Sequence, residues 1–206
     1  MKIIIIFSVL AFIILAASSA PAPVVLDFYG QSLRARAKYY IKPADDDYFV
    51  GGFGLVGVLN KSCPAVVGQM TDNMGLWLTF HPVDPKERVI RLSTDVNIKF
   101  SGSNSCHESN VWQLKYHKAL EEYVVMVGGV EGNPGPKTVN NWFKIEQGNY
   151  YGSYRLVFCP SVCSDCKVIC GDITTDTYVD NEKDIGPPLR ISNSTNQWHF
   201  SFYFKY

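Results

Sequence analysis

The residues best equipped for chemistry are six cysteines. Four of them crowd into Cys159-x3-Cys163-x2-Cys166-x3-Cys170, while Cys63 and Cys106 lie far upstream. Thiolates at such spacings can hold zinc or an iron–sulfur cluster. Their other outcome is oxidation to disulfides, for which sequence alone leaves several connectivities open. Gly52-Phe53-Gly54-Leu55-Val56-Gly57 matches a dinucleotide fingerprint. That motif needs a helix after it, whose N-terminus receives the pyrophosphate. The next residues, Val58-Leu59-Asn60-Lys61-Ser62-Cys63-Pro64, are too few and ill-suited to form one, so the stretch reads as a glycine-rich loop. Asp45-Asp46-Asp47 lacks the spaced oxygen ligands of a calcium loop and reads as solvated. His81, His107, His117 and His199 are scattered, and neither a Gly-x-Ser-x-Gly elbow nor a His-Glu-x-x-His helix occurs. The chain reads as a non-enzyme with no catalytic residues, no metal site and no cofactor.

Compartment decides between the two cysteine chemistries. Lys2 precedes an apolar run from Ile3 to Ala17, and small residues Ser18, Ser19 and Ala20 come next. This is the charged, apolar and cleavage pattern of a secretory signal, shorter than the ~20 residues of a membrane span. Residues 1–22 are assigned to the signal and 23–206 to one domain, with cleavage after Ser19, Ala20 or Ala22. The remaining ~180 residues suffice for a single core. In the oxidising compartments that such a signal opens, paired cystines are expected rather than metal. Export is expected, with vacuolar deposition as the alternative. Basic and acidic residues balance at 19 each, so neither nucleic acid nor an anionic membrane is an expected partner. A monomer is expected. Asn60-Lys61-Ser62 and Asn193-Ser194-Thr195 are glycosylation acceptors, and Asn104-Ser105-Cys106 is a weaker variant.

The elements that must carry these residues read as short strands. Aromatics make up 14% of the chain, alongside 16 glycines and 11 prolines, and no long helical period appears, which favours an all-β domain. β-like runs recur at Leu76–Phe80, Val89–Leu92, Val96–Phe100, Val111–Tyr116, Tyr123–Val127, Trp142–Ile145 and Tyr154–Phe158. In the last stretch Trp198, Phe200, Phe202 and Phe204 alternate with polar neighbours, as on a half-buried strand. The opening stretch, Val25 to Pro43, reads as a hairpin turned at Gly30, with Tyr39-Tyr40-Ile41 as its return strand. Barrel and sandwich both satisfy this pattern.

Those segments, in order, resemble the plant Kunitz protease inhibitors of the soybean trypsin inhibitor type, in their miraculin-like branch. The resemblance rests on Val25-Leu26-Asp27, Gly30, Leu33 and Tyr39-Tyr40-Ile41, then on Ser62-Cys63-Pro64 and Asn97-Ile98-Lys99-Phe100. Trp142-Phe143-Lys144-Ile145-Glu146, Tyr154-Arg155-Leu156-Val157-Phe158-Cys159-Pro160 and Cys170-Gly171-Asp172-Ile173 complete it. It implies a β-trefoil: a six-stranded barrel capped by three hairpins with pseudo-threefold symmetry. It also implies disulfides Cys63–Cys106, Cys159–Cys170 and Cys163–Cys166.

The resemblance further implies a reactive loop around Pro85, Lys86, Glu87 and Arg88, held extended and presented to a serine endopeptidase like a substrate. Counted back from Phe100, the specificity residue falls on Lys86 and the scissile bond on Lys86–Glu87. A lysine there suits a trypsin-like pocket, and Arg88 and Arg91 are the alternatives if the register slips. Two positions depart from the family pattern. An acid, Glu87, comes after the bond, and Ala35 stands where the family braces its loop with an asparagine. The implied function is inhibition of trypsin-like proteases in plant defence. A miraculin-like or storage protein that has lost protease binding is the second reading. A carbohydrate-binding trefoil ranks third, for want of repeated Gln-x-Trp elements.

Overall fold

Alternating burial marks the clearest of these strands. In Leu78–Pro82 the side chains of Leu78, Phe80 and Pro82 are buried while Thr79 and His81 are half-buried, and Tyr154–Phe158 repeats the pattern. The computed structural model describes residues 21–43, 51–58, 61–70, 74–175, 187–192 and 202–205. Among these, twelve strands run in order: β1 Tyr40–Pro43, β2 Phe53–Val58, β3 Lys61–Gln69, β4 Leu78–Pro82, β5 Val96–Phe100 and β6 Gln113–His117; then β7 Glu122–Met126, β8 Lys144–Gln147, β9 Tyr154–Phe158, β10 Gly171–Thr174, β11 Arg190–Ser192 and β12 Phe202–Lys205. One 3-10 turn, Val139–Asn141, is the sole helical element among the described residues.

All pairings between these strands are antiparallel. One sheet runs β1-β12-β9-β10-β11-β7-β3-β2, with β6 joined to β7 and β8 to β9, while β4 and β5 form a separate pair. Near neighbours make hairpins, such as β4–β5 with Leu78 opposite Phe100 and Pro82 opposite Val96. Distant pairings close the architecture. Ile41 of β1 faces Phe204 of β12, Phe202 faces Tyr154, and Val66 of β3 faces Met126 of β7.

The interior is a chain of aromatic contacts. Trp112 lies 5.3 Å from Phe100, 6.1 Å from Phe53 and 6.2 Å from Phe143, and Phe143 lies 5.6 Å from Phe158. A second group joins Tyr39, Phe80, Phe204 and Tyr154 at centroid distances of 5.2–6.4 Å. These separations suit edge-to-face and offset packing. Among buried polar groups, Asn97 ties three segments together. Its Nδ2 donates to the Asn141 carbonyl at 2.8 Å, and its Oδ1 accepts from Gly132 N at 2.7 Å.

Three expectations change. The glycine-rich stretch is strand β2, paired with β3 from Phe53 opposite Gln69 to Val56 opposite Val66, rather than a loop. Its glycines serve close packing: a Cβ at Gly54 would run into the Met70 side chain. The opening hairpin closes earlier than expected. Leu26 pairs with Ser32 around Gly30, whose φ is 76°, whereas Tyr39 pairs with Leu78 and β1 with β12. Val89–Leu92 makes isolated bridges, Val89 with Arg34 and Arg91 with Val24, rather than a strand. Residues 1–20, the Asp45–Asp47 run, Asn60, Asn193 and Trp198–Phe200 lie outside the described residues.

The cysteines pair as the resemblance implied: Cys63–Cys106, Cys159–Cys170 and Cys163–Cys166, with Cα separations of 5.6, 4.5 and 5.5 Å. All six sulfurs are thereby used, and none is left to ligate a metal. The first bridge spans 43 residues and joins the start of β3 to the loop after β5. Loop-closure entropy assigns such a crosslink about 3–4 kcal/mol. The double variant Cys63→Ala/Cys106→Ala is expected to melt roughly 10 °C lower in a thermal scan.

Candidate functional site

The segment between β4 and β5 leaves the barrel at Pro82 and returns at Val96, and its two limbs are anchored differently. Upstream, Val83 N donates to the Asp95 carbonyl at 2.9 Å. The buried Asp95 carboxylate accepts from Ser161 N and from Ser161 Oγ, the latter at 2.9 Å. This hooks the loop base to the chain just after Cys159. Downstream, the loop lies against the N-terminal hairpin. Ala35 N donates to the Arg88 carbonyl at 2.9 Å, Ile90 N to Leu33 O at 2.8 Å, and Val25 N to Ile90 O at 2.8 Å. Ile90, Leu33 and Val25 are fully buried, so the downstream limb is fixed by packing as well as by backbone bonds.

Between the anchors, Asp84-Pro85-Lys86-Glu87 forms a turn. Glu87 N donates to the Asp84 carbonyl at 3.1 Å, and Lys86 N donates to Asp84 Oδ1 at 2.9 Å. Lys86 keeps a negative φ, so the turn is of type I, for which proline is suited to the second position. The expected extended approach is thus corrected: proline and the aspartate side chain together close the loop tip. Asp84, Pro85 and Lys86 are all exposed.

The three candidate cations differ in what their backbone is doing. The Arg88 carbonyl is taken by Ala35 N, and the Arg91 carbonyl accepts from Thr94 Oγ1 at 2.8 Å. The Arg91 guanidinium is also committed, donating to Glu87 Oε2 at 3.1 Å and to the Ala22 carbonyl at 2.9 Å. Lys86 projects its side chain into solvent, and its carbonyl has no hydrogen-bond partner among the described residues. Of the three, it alone offers both a free side chain and a free carbonyl.

Glu87 turns back onto its own loop. Oε2 takes the Arg91 guanidinium, and Oε1 takes the N–H groups of Arg88 at 3.0 Å and Val89 at 3.4 Å. The Arg91 hydrogen bond, together with those two backbone donors, holds the carboxyl below its usual range. The acid after the bond is therefore a structural clamp with its charge paired internally. At the other departure, Ala35 contributes only its backbone, and the next residue supplies a side chain: Arg36 Nη2 donates to the Pro85 carbonyl at 3.1 Å. Arg36, Asp95 and Ser161 escaped the sequence reading, because nothing in their spacing marks contacts made across 49 or 66 positions, whereas Arg91, read as an alternative specificity residue, is instead the partner of Glu87.

The remaining candidate residues are distributed elsewhere. The second disulfide loop, 160–169, carries an exposed Lys167. The Asn104 amide is consumed internally, donating to Glu108 O at 2.8 Å and accepting from Cys106 N at 2.9 Å, so the weaker sequon is structural. His81 approaches Glu131 Oε1 at 2.8 Å through Nδ1, and burial pushes its pKa down.

A barrel of paired strands whose loops are tied by three disulfides defines a β-trefoil of the disulfide-stabilised kind. Residues 25–204 match the Kunitz family described as "Trypsin and protease inhibitor", and the chain belongs to that family. It is 45% identical to miraculin of Synsepalum dulcificum over 176 residues, covering 81% of this chain and 78% of that protein. It is 40% identical to Kunitz trypsin inhibitor 5 of Arabidopsis thaliana over 152 residues, covering 72% of each. Among solved structures, a Kunitz-type cysteine protease inhibitor from potato superposes with a TM-score of 0.72 at 28% identity, covering 90% of this chain and 97% of that one.

The Glu87 clamp has a pH signature. A carboxyl held low in the folded protein stabilises above its unfolded pKa, and loses that contribution as pH falls through its folded value. Wild type is therefore expected to melt above Glu87→Gln at neutral pH. The gap should close below pH ~4.5, the ordinary glutamate range. Paired thermal scans from pH 7 to pH 3 measure it, and a constant gap counts against the clamp.

Proposed function

We propose that this chain is an exported inhibitor of serine endopeptidases of trypsin-like specificity, with Lys86 entering the specificity pocket and Lys86–Glu87 as the presented bond. One observation carries the reading: within residues 86–91, Lys86 is the cation whose side chain and carbonyl are both unengaged. A protease pocket must desolvate the ammonium against its own carboxylate, and the adjoining oxyanion donors need a carbonyl with no competing partner.

The closed turn sets a cost for binding. Extending it breaks two exposed hydrogen bonds, together worth about 1–3 kcal/mol. The rest of the loop needs no ordering, since both limbs are already held, which offsets the loss. Cleavage would leave the downstream end clamped through Glu87, Arg88 and Ile90, favouring resealing over release.

Export is inferred from the signal-like residues 1–22, and Asn193 is the preferred glycosylation acceptor over Asn60. A cut upstream of Ala22 retains the carbonyl that Arg91 engages. Defence against herbivore or pathogen proteases is the role such an inhibitor would serve, acting as a monomer and not as an enzyme. A second reading is a miraculin-like protein without protease binding. It is favoured by the 45% identity to miraculin and by the loss of a bracing side chain at Ala35.

Inhibition constants against trypsin decide between them. Wild type should bind below micromolar, and Lys86→Ala should lose about 2–4 kcal/mol, the scale of a truncated hot spot. Inhibition unaffected by the substitution would place the site elsewhere, with Lys167 next to test. No inhibition by wild type would select the second reading.

A further inference from the structure

Arg36 is held in a conformation that suits glycine better than arginine. Its φ is 65°, at the tip of a turn in which Ala37 N donates to the Arg34 carbonyl. A side chain in the left-handed region is strained. The position is fixed by its surroundings, because Arg36 N donates to the Phe80 carbonyl at 2.9 Å and the neighbouring Ala35 N is committed to Arg88. Residues kept in such conformations gather where function repays the strain.

What the strained residue does is visible in its guanidinium. Nη2 donates to the carbonyl of Pro85 at 3.1 Å, across 49 positions of sequence. That carbonyl belongs to the residue immediately before Lys86, and proline offers no N–H that could hold the strand from its other side. The contact therefore orients the Pro85–Lys86 peptide plane. Glu87 and Arg88 are tethered on the other side of the same bond, through Arg91 and Ala35 respectively.

We propose that Arg36 is a positioning residue of the loop: its guanidinium supplies, from one position further along the hairpin, the brace that Ala35 cannot. This rests on the reading of Lys86–Glu87 as the presented bond. With Arg36 in place, the two ends created by hydrolysis of that bond are both held by the hairpin face. Resealing, with return of the water consumed, then competes with release. Without it, the upstream end keeps only the hook at Val83.

Glycine separates bracing from folding, because it accepts the φ of Arg36 without strain while removing the guanidinium. Arg36→Gly is expected to melt no lower than wild type, to inhibit trypsin about tenfold more weakly, and to be cut at Lys86–Glu87 faster on prolonged incubation, monitored by mass spectrometry. Tenfold is the low end of a charged hydrogen bond, as fits an exposed contact. Arg36→Asn, which tolerates the same conformation but cannot reach Pro85, should behave alike and serves if the glycine variant folds poorly. Unchanged inhibition and unchanged cutting in both variants would overturn the brace and leave Lys86 standing. Weaker inhibition accompanied by a matching drop in melting temperature would reassign Arg36 to the fold. If wild type proves not to inhibit, the Lys86 reading fails by itself, and the cutting rate at Lys86–Glu87 still reports on the brace.

Discussion

Ile90 has its backbone bonded on both edges, its N–H to Leu33 and its carbonyl to Val25, while its side chain is sealed from solvent. An apolar residue anchored in this way cannot be displaced without exposing core and stranding two backbone groups at once. The N-terminal hairpin and the loop after β4 are thereby made one surface. The hairpin is in turn fixed because β1, the strand after it, pairs with β12, the last described strand. Loop geometry thus depends on contacts between strands near the two ends of the described chain, while Asp95, bonded to Ser161 just after Cys159, holds the other limb. The loop between β4 and β5 can be short and exposed because its stiffness comes from outside itself.

Local chemistry then shapes what that frame presents. Pro85 presets φ, Asp84 captures the N–H of Lys86, and the turn closes. Glu87 and Arg91 pair at 3.1 Å, so the acid beside Lys86 does not act as a loose opposing charge. Exposed ion pairs contribute little to stability. Their role here is directional, since Glu87 also receives two backbone N–H groups and so fixes the path of residues 87–89.

Strands whose apolar and polar residues alternate were legible in the sequence, as β4 and β5 demonstrate, because a period of two is a local property. The disulfide pairing and the trefoil were legible only through resemblance, since spacing leaves the connectivity of Cys159, Cys163, Cys166 and Cys170 open. Strand β2 was hidden by its glycines, which read as loop until Met70 is seen packing where a side chain on Gly54 would otherwise stand. The turn at Asp84–Glu87 was within reach of a local reading, because aspartate before proline is a turn signal. It yielded instead to the expectation of an extended loop. Arg36 was beyond reach: its importance lies in a positive φ and a contact to Pro85, neither of which leaves a pattern in composition or spacing.

Kinship with both miraculin and trypsin inhibitors is what a rigid scaffold with interchangeable loops should give. The aromatic interior around Trp112 and Phe143 holds the barrel here without calling on the loop between β4 and β5. On the reading proposed above, function turns on whether one peptide bond is offered in a form that a protease can grip yet not release. Gripping needs a free cation and a free carbonyl, which Lys86 has. Failure to release needs both new ends held after scission, and here the downstream end has three anchors while the upstream end has Val83 and the Arg36 guanidinium. The asymmetry places the weak point upstream of the bond. On that reading the lysine sets whether a protease grips at all, and the hairpin residue facing Pro85 sets how readily the cut chain is let go.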